Sequence, residues 1–200
     1  MDGTLWDAVD SYAEIWNITN NELGIDRVIT RDDLLSLMGL TIDRIFNTLF
    51  PGNSVDMDRY MEVLMKNESE LMPVLGGKLY PGVAEGIREL SRSHNLYMVS
   101  NCGADGLRNF LDYTSLKPYF KDTLTYGETN CGKAVNIRRI MERNNIRDAI
   151  YIGDTQSDYK SAHEAGIPMI HVTYGFGKAP EAEYQADNFK EIIKILSGDE

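Results

Sequence analysis

In the first third of the chain, apolar side chains recur at helical spacing. Val9, Tyr12, Ala13 and Trp16 share one face, and Gly24 supplies a stop. Thr30 followed by Asp33 reads as a helix start, with Gly39 closing that short segment. Thr41 then precedes Ile42, Ile45, Phe46 and Leu49, again one apolar face, ended by Pro51-Gly52. A fourth segment runs from Asp56 to Met72. Four helices with short connections predict a small all-α bundle.

The pattern changes at GGKLYPGV, residues 76–83, where Gly and Pro mark a boundary. Val83, Ile87 and Leu90 stripe a helix, and NLYMVSN is a short apolar run ending in small polar residues. A helix over Gly106 to Tyr113 leads to KDTLTYG, a strand candidate, and KAVNIRRIMERNN is helical. AIYIGD reads as a buried strand, SDYKSAHEAG as a helix ended by Gly166, PMIHVTYG as a strand, and Phe189 to Leu196 as a last helix. This alternation predicts an α/β fold, a parallel sheet covered by helices.

Composition narrows the function. The 200 residues are 42% hydrophobic and 10% aromatic, enough for a buried core. A formal net charge of -11 argues against nucleic acid and anionic membrane surfaces as partners. It leaves room for a small anionic substrate, because a bound cation or one lysine reverses the local field. No apolar run approaches the ~20 residues of a membrane span, and the opening residues show no basic-then-apolar signal. Cys102 and Cys131 make no disulfide framework, which suits a reducing, cytoplasmic setting. His94, His163 and His171 lack metal-type spacing.

In open α/β sheets, ligands bind beyond the carboxyl ends of the strands. YMVSN delivers Ser100 and Asn101 there, TLTYGETNCGK delivers Lys133 at the next helix start, and YIGDTQSD delivers Asp154 and Asp158. Taken singly, Ser100 is an ordinary turn residue, Lys133 a solvated lysine and Asp158 a helix-start carboxylate. Their order at successive strand ends is what points to a site. Mg²⁺ is a hard cation that bridges one or two carboxylates to a phosphate, and Asp154 and Asp158 can approach it together. A serine hydroxyl, a backbone N–H and a lysine ammonium would hold the phosphate oxygens and offset charge in the transition state. No G-x-S-x-G elbow surrounds Ser100, and no nearby histidine serves it as a base.

DGTLWD, VSN, GK before a helix and GDTQSD, in this order, resemble the four motifs of the haloacid dehalogenase superfamily, over essentially the whole chain. YPGV at the boundary and VTYGFG after the last motif are most similar to its phosphoglycolate phosphatase branch. The resemblance implies a Rossmann-like core over residues 1–7 and 79–200 and an inserted α-helical cap over 8–78. It implies Mg²⁺-dependent hydrolysis of a small phosphorylated metabolite through a phospho-aspartate. In it Asp2 is the acid/base and a metal contact, Gly3 lies where backbone meets phosphate and donates its N–H, and Ser100 and Asn101 hold the phosphoryl group. Lys133 neutralises that group, and Asp154 and Asp158 face the metal. MGLTIDRIF is the cap stretch expected to face the site, with Thr41 and Arg44 as substrate contacts.

The family's first motif is a hydrophobic strand followed by Asp-x-Asp-Gly-Thr. Asp2 matches its second aspartate, so the attacking aspartate falls one position before Met1. The resemblance thus leads to the expectation that this chain starts at an internal methionine and lacks both that strand and the nucleophile. A slot is then expected between the strands ending at Ser100 and Asp154, as unpaired edges or filled by another segment. Two other readings use the same parts: a β-phosphoglucomutase-like phosphoryl transferase, and a non-catalytic phosphate- or metal-binding protein. Cys102 and Cys131 flank two motifs, which makes redox sensitivity conceivable.

Overall fold

The computed structural model describes residues 1–198. After a two-residue strand β1 (Trp6–Asp7) come four helices, α1 (Val9–Glu22), α2 (Arg31–Leu35), α3 (Ile42–Leu49) and α4 (Met57–Leu75). Their starts follow side-chain chemistry. Thr30 and Asp33 form a reciprocal capping box on α2, and Asp56 accepts from the Arg59 N–H at the start of α4. The apolar stripes meet in an aromatic cluster, with Tyr60 5.1 Å from both Phe46 and Phe50 and 5.4 Å from Trp16 between ring centroids. Two buried polar pairs tie α4 to α1: Tyr60 Oη donates to Asn20 Oδ1 at 2.7 Å, and Asn67 Nδ2 to Thr19 Oγ1 at 3.1 Å.

The chain leaves and re-enters the α/β part side by side. β1 pairs antiparallel with β2 (Lys78–Leu79), Trp6 opposite Leu79 and Asp7 opposite Lys78. Trp6 is fully buried against Phe110, edge to face at 4.9 Å. Gly76 has φ +59°, and a Cβ there would lie 2.1 Å from the Tyr113 ring, so this turn requires glycine. Arg31 of α2 reaches back to both Asp7 and Asp10.

Beyond the boundary, helix and strand alternate as expected. α5 (Val83–Leu90), β3 (Leu96–Ser100) and α6 (Ala104–Thr114) lead to β4 (Phe120–Thr125), a short α7 (Tyr126–Thr129) and α8 (Lys133–Arg143). β5 (Tyr151–Gly153), α9 (Gln156–Ala165), β6 (Met169–Val172), β7 (Tyr184–Ala186) and α10 (Phe189–Ser197) complete the order. Every ladder in this part is parallel: β3 on β4, and β5 on β6 on β7. β7 was not foreseen, because its three residues carry no periodicity and two of them are exposed at the sheet edge. The apolar faces of α8, β3 and β4 meet at Val99, Leu124, Ile137 and Ile140. Among the described residues no helix is long and apolar enough to cross a membrane.

The two parallel ladders do not join. No described strand lies between β3 and β5. In its place is a cavity of about 730 Å³ bordered by Leu5, Met98, Val99, Tyr151 and Ile152. Tyr151 reaches over it, donating its hydroxyl to the Val99 carbonyl at 3.2 Å. The expected slot is therefore present, with the inner edges of β3 and β5 facing it. Amides on those inner edges are expected to exchange with deuterium faster than amides in the β3–β4 and β5–β6 ladders. Equal protection on both sides would show that the gap is closed in solution.

Candidate active site

The residues singled out at the strand ends converge on one cavity of about 140 Å³, between the α/β part and the helical segment. Asp2, Ser100, Asn101, Lys133, Asp154 and Asp158 all line it. The local folding that brings them there is mostly helix-start chemistry. Thr155 and Asp158 form the capping box of α9, so Asp158 Oδ2 accepts from the Thr155 N–H at 3.1 Å and the Asp154 N–H at 3.2 Å. Its other oxygen, Oδ1, takes the Lys133 ammonium. Lys133 is the first residue of α8, whose start is steadied by Asn136. The Asn136 amide donates to the Thr125 and Cys131 carbonyls at 3.3 and 3.1 Å.

Lys133 and Asp158 have side chains only 7% and 5% exposed, which makes them a buried pair. Burial pushes the Asp158 carboxyl up, but the adjacent ammonium and the hydrogen bonds outweigh it and hold it down at about 2. The same balance leaves Lys133 protonated well above the ordinary lysine range, the Asp158 charge overriding burial. Asp154, 2% exposed, is fixed differently: Oδ1 accepts from Thr4 Oγ1 at 3.0 Å and Oδ2 from the Phe176 N–H at 2.9 Å. Burial, with the Asp158 charge next, pushes its carboxyl up. Burial likewise pushes Asp2 up to about 6, against the pull of the Trp6 indole N–H, which donates to Asp2 Oδ1 at 2.9 Å.

Five carboxyl groups, of Asp2, Glu68, Asp105, Asp154 and Asp158, thus share the wall with one side-chain ammonium, and that ammonium is committed to Asp158. Among the described residues no three acidic, histidine or cysteine groups close around a common point as a finished cage. What is present suits a hard divalent cation in part. Asp154 is an oxygen donor whose charge is penalised by burial and by the neighbouring Asp158, a penalty that a cation would relieve, and the Asp2 backbone carbonyl is a second oxygen beside it. Asp158 fits less well, since its oxygens are occupied by Lys133 and the α9 start.

Three expectations need correction. The Gly3 N–H does not point to the cavity; it donates to the Trp6 carbonyl at 3.0 Å. Gly3 is required instead because its φ is +74° and a Cβ would sit 2.1 Å from Asp154 Oδ2. Thr41 and Arg44 do not line the cavity either, and Arg44 is exposed. Gly39, Leu40, Ile42 and Ile45 of the same stretch do, because one helix face turns inward and Arg44 sits on the other. Asn101 has a further role: its Nδ2 donates to the Gly39 carbonyl at 2.8 Å, bridging β3's end to the helical segment, while its buried Oδ1 is unpartnered. Sequence reasoning missed Thr4, Tyr12 and Glu68. Thr4 stood inside DGTL and was open to discovery; Tyr12 and Glu68 sit on α1 and α4, where only docking shows which face meets the site. Cys102 and Cys131 are both free, and burial pushes the Cys102 thiol up to about 11, which makes it a poor nucleophile.

Replacing Lys133 with Met strands the Asp158 charge and is expected to cost about 3–5 kcal/mol, read from urea midpoints at unchanged m. The K133M/D158N double variant should lose less than the two single losses summed; an additive result would show that they do not act as a pair. Gly3→Ala is expected to cost about 1–2 kcal/mol from the positive φ alone, measured the same way.

Comparison with known proteins agrees with this geometry. The family model described as haloacid dehalogenase-like hydrolase matches residues 1–172. The pyrophosphatase PpaX of Listeria monocytogenes is 26% identical over 98% of this chain and 91% of its own length. A phosphoglycolate phosphatase of Agrobacterium fabrum is 28% identical over 94% of this chain and 84% of its own. Among solved structures, a predicted phosphoglycolate phosphatase from Haemophilus somnus shares the fold, with a TM-score of 0.85 at 18% identity over 98% of this chain and 95% of that one. A predicted phosphatase from Clostridium acetobutylicum has a TM-score of 0.80 at 25% identity, with the same coverages. The chain belongs to the haloacid dehalogenase-like hydrolase family.

Proposed function

We propose that this protein is a phosphatase acting on a small phosphomonoester, with Mg²⁺ as its cofactor and the helical segment over residues 8–78 as the cap above its core. The observation that carries this reading is the convergence of Ser100, Lys133, Asp154 and Asp2, from three strand ends and the opening turn, on one cavity under that segment. Relatives named phosphatase and pyrophosphatase support it. Two free cysteines fit a reducing, cytoplasmic setting.

The chain's own residues divide the work. The Ser100 hydroxyl and the Asn101 N–H hold phosphoryl oxygens, and the Lys133 ammonium, aimed by Asp158, neutralises them. Asp154, held by Thr4 and Phe176, would hold the cation by its carboxylate and Asp2 by its backbone carbonyl, which leaves the Asp2 carboxyl free for proton transfer. A bound Mg²⁺ would offset charge on the phosphoryl oxygens as a Lewis acid. Asp2, pushed up by burial, gives a proton to the leaving alcohol and later takes one from water. The helical segment, latched by Asn101 to Gly39, excludes water.

In the motif that the chain resembles, the attacking carboxylate stands two positions before Asp2. Among the cavity's other acids, Asp154 and Asp158 are held by other partners, Asp105 of α6 pairs with Arg108 and Glu68 comes from α4, so none occupies that place. Residues 1–200 are therefore expected to bind inorganic phosphate in the presence of Mg²⁺ and to turn over p-nitrophenyl phosphate poorly or not at all. By calorimetry, Ser100→Ala is expected to weaken phosphate binding by about tenfold or more, the worth of one hydrogen bond to a charged group. Absence of phosphate binding with and without Mg²⁺ would end the phosphatase reading, whereas robust Mg²⁺-dependent turnover would keep it and assign the attack to a residue within this chain.

A further inference from the structure

The relatives' names point to substrates with a second anionic group, a second phosphate or a carboxylate, beside the phosphate that is attacked. The cavity here is not built to receive one. Above the strand ends its wall is apolar, formed by Leu40, Ile42, Ile45, Met61 and Leu64 from the helical segment. Lys133 is the one cationic side chain among the lining residues, and Asp158 holds it. The helical segment's own arginines are spent elsewhere or face out: Arg31 on Asp7 and Asp10, Arg27 on the Leu49 carbonyl, Arg59 on Glu62, with Arg44 exposed.

Two acceptors, Glu68 from α4 and Asn101 just beyond the end of β3, line the cavity with no free cationic side chain beside them among the described residues. Glu68 of α4 brings a carboxyl into the lining, and burial pushes it up to about 7, with Asp2 and Asp105 adding to the effect. Asn101 leaves Oδ1 buried and unpartnered, its amide nitrogen fixed on the Gly39 carbonyl. Once Glu68 is ionised, above about pH 7, a second anion would meet apolar carbon, a like charge and a carbonyl-type oxygen, and would lose its hydration without a replacement. An alkyl or aryl body would instead bury against the apolar wall, in what the phosphoryl group leaves of the about 140 Å³.

We propose that the cavity selects phosphomonoesters whose alcohol part is small, apolar and without a second negative charge, and that Glu68 is the residue excluding that charge. This rests on the phosphomonoester reading above. The body buries against Ile42, Ile45 and Met61, and any polar substituent it carries is a donor, a hydroxyl or an ammonium, directed to Asn101 Oδ1.

The test uses binding, so it does not depend on turnover. Affinities of the whole chain are measured by calorimetry at about pH 8, where Glu68 is ionised, with Mg²⁺, for inorganic phosphate, butylphosphonate and 3-phosphonopropionate. Butylphosphonate is expected to bind at least about tenfold tighter than inorganic phosphate, since each buried methylene is worth about fourfold. 3-Phosphonopropionate is expected to bind at least about tenfold more weakly than butylphosphonate, as charge exclusion at a desolvated wall implies. Glu68→Gln should narrow that gap with little change for butylphosphonate. Met65→Arg, at a position lining the cavity yet 53% exposed and hence tolerant, should raise affinity for 3-phosphonopropionate. Equal or tighter binding of 3-phosphonopropionate than of butylphosphonate in the unaltered chain overturns the inference and leaves the phosphatase reading standing. A gap that Glu68→Gln does not change removes Glu68 from the role. Failure of all three ligands to bind overturns the phosphatase reading and this inference together.

Discussion

The buried pair between Lys133 and Asp158 is the interaction on which the rest of this molecule depends. Lys133 opens the helix that follows β4, and Asp158 lies in the first turn of the helix that follows β5. Those two strands belong to ladders that share no backbone hydrogen bond. The ion pair is thus a staple between halves of the core as well as a feature of the site. Its partners are few: Tyr151 to the Val99 carbonyl, and Arg138 to Glu164 across α8 and α9. Such a pair is worth keeping where its geometry is complete, because a lone buried charge is far more costly than none. Asp158 meets that condition through the ammonium on one oxygen and the α9 start on the other.

A second constraint is the excess of negative charge left after that pairing. Asp2 and Asp154 remain as acids in a water-poor wall, each pushed up by burial, and Glu68 adds a third from the helical side. Perturbed carboxyls gathered in a cleft are a frequent mark of a functional site. Here they mark two different tasks by position. The acids at the strand ends sit among phosphate-friendly groups, where a cation would relieve them. The acid on α4 lines the cavity beside Met61, Leu64 and Met65, within reach of the Asp2 and Asp105 charges, and the task inferred for it is exclusion. The gap between β3 and β5 lies on the same molecule but carries no such chemistry: its border is Leu5, Met98, Val99 and Ile152, with Tyr151 reaching across.

Much of this was legible in the chain because it rests on local rules. Helix faces, the Thr30–Asp33 capping box, the boundary at Gly76-Gly77 and the parallel alternation follow from spacing and turn chemistry that neighbours in sequence decide among themselves. The site residues at strand ends were legible for a related reason. A parallel sheet delivers the end of every strand to one side, so Ser100, Lys133 and Asp154 are collected by topology without any knowledge of distances. Asp158 was expected to face a metal ion; the structure gives one of its oxygens to Lys133, twenty-five positions earlier, a pairing that forms only once α8 and α9 pack together.

What the sequence by itself determined is therefore the order of the main helices and strands, the set of strand-end groups that meet in one cavity and the presence of a helical segment above them. Tertiary structure alone decided which side of that segment looks inward. Thr41 and Arg44 were chosen for their chemistry, but a helix has several faces, and the register of α3 turns Ile42 and Ile45 to the cavity instead. Glu68 and Tyr12 enter the site for the same reason: docking of α1 and α4 fixes their rotation, and no local spacing records it. The charge left in the cavity is a sum over residues far apart in sequence. That sum exists only when the chain is folded.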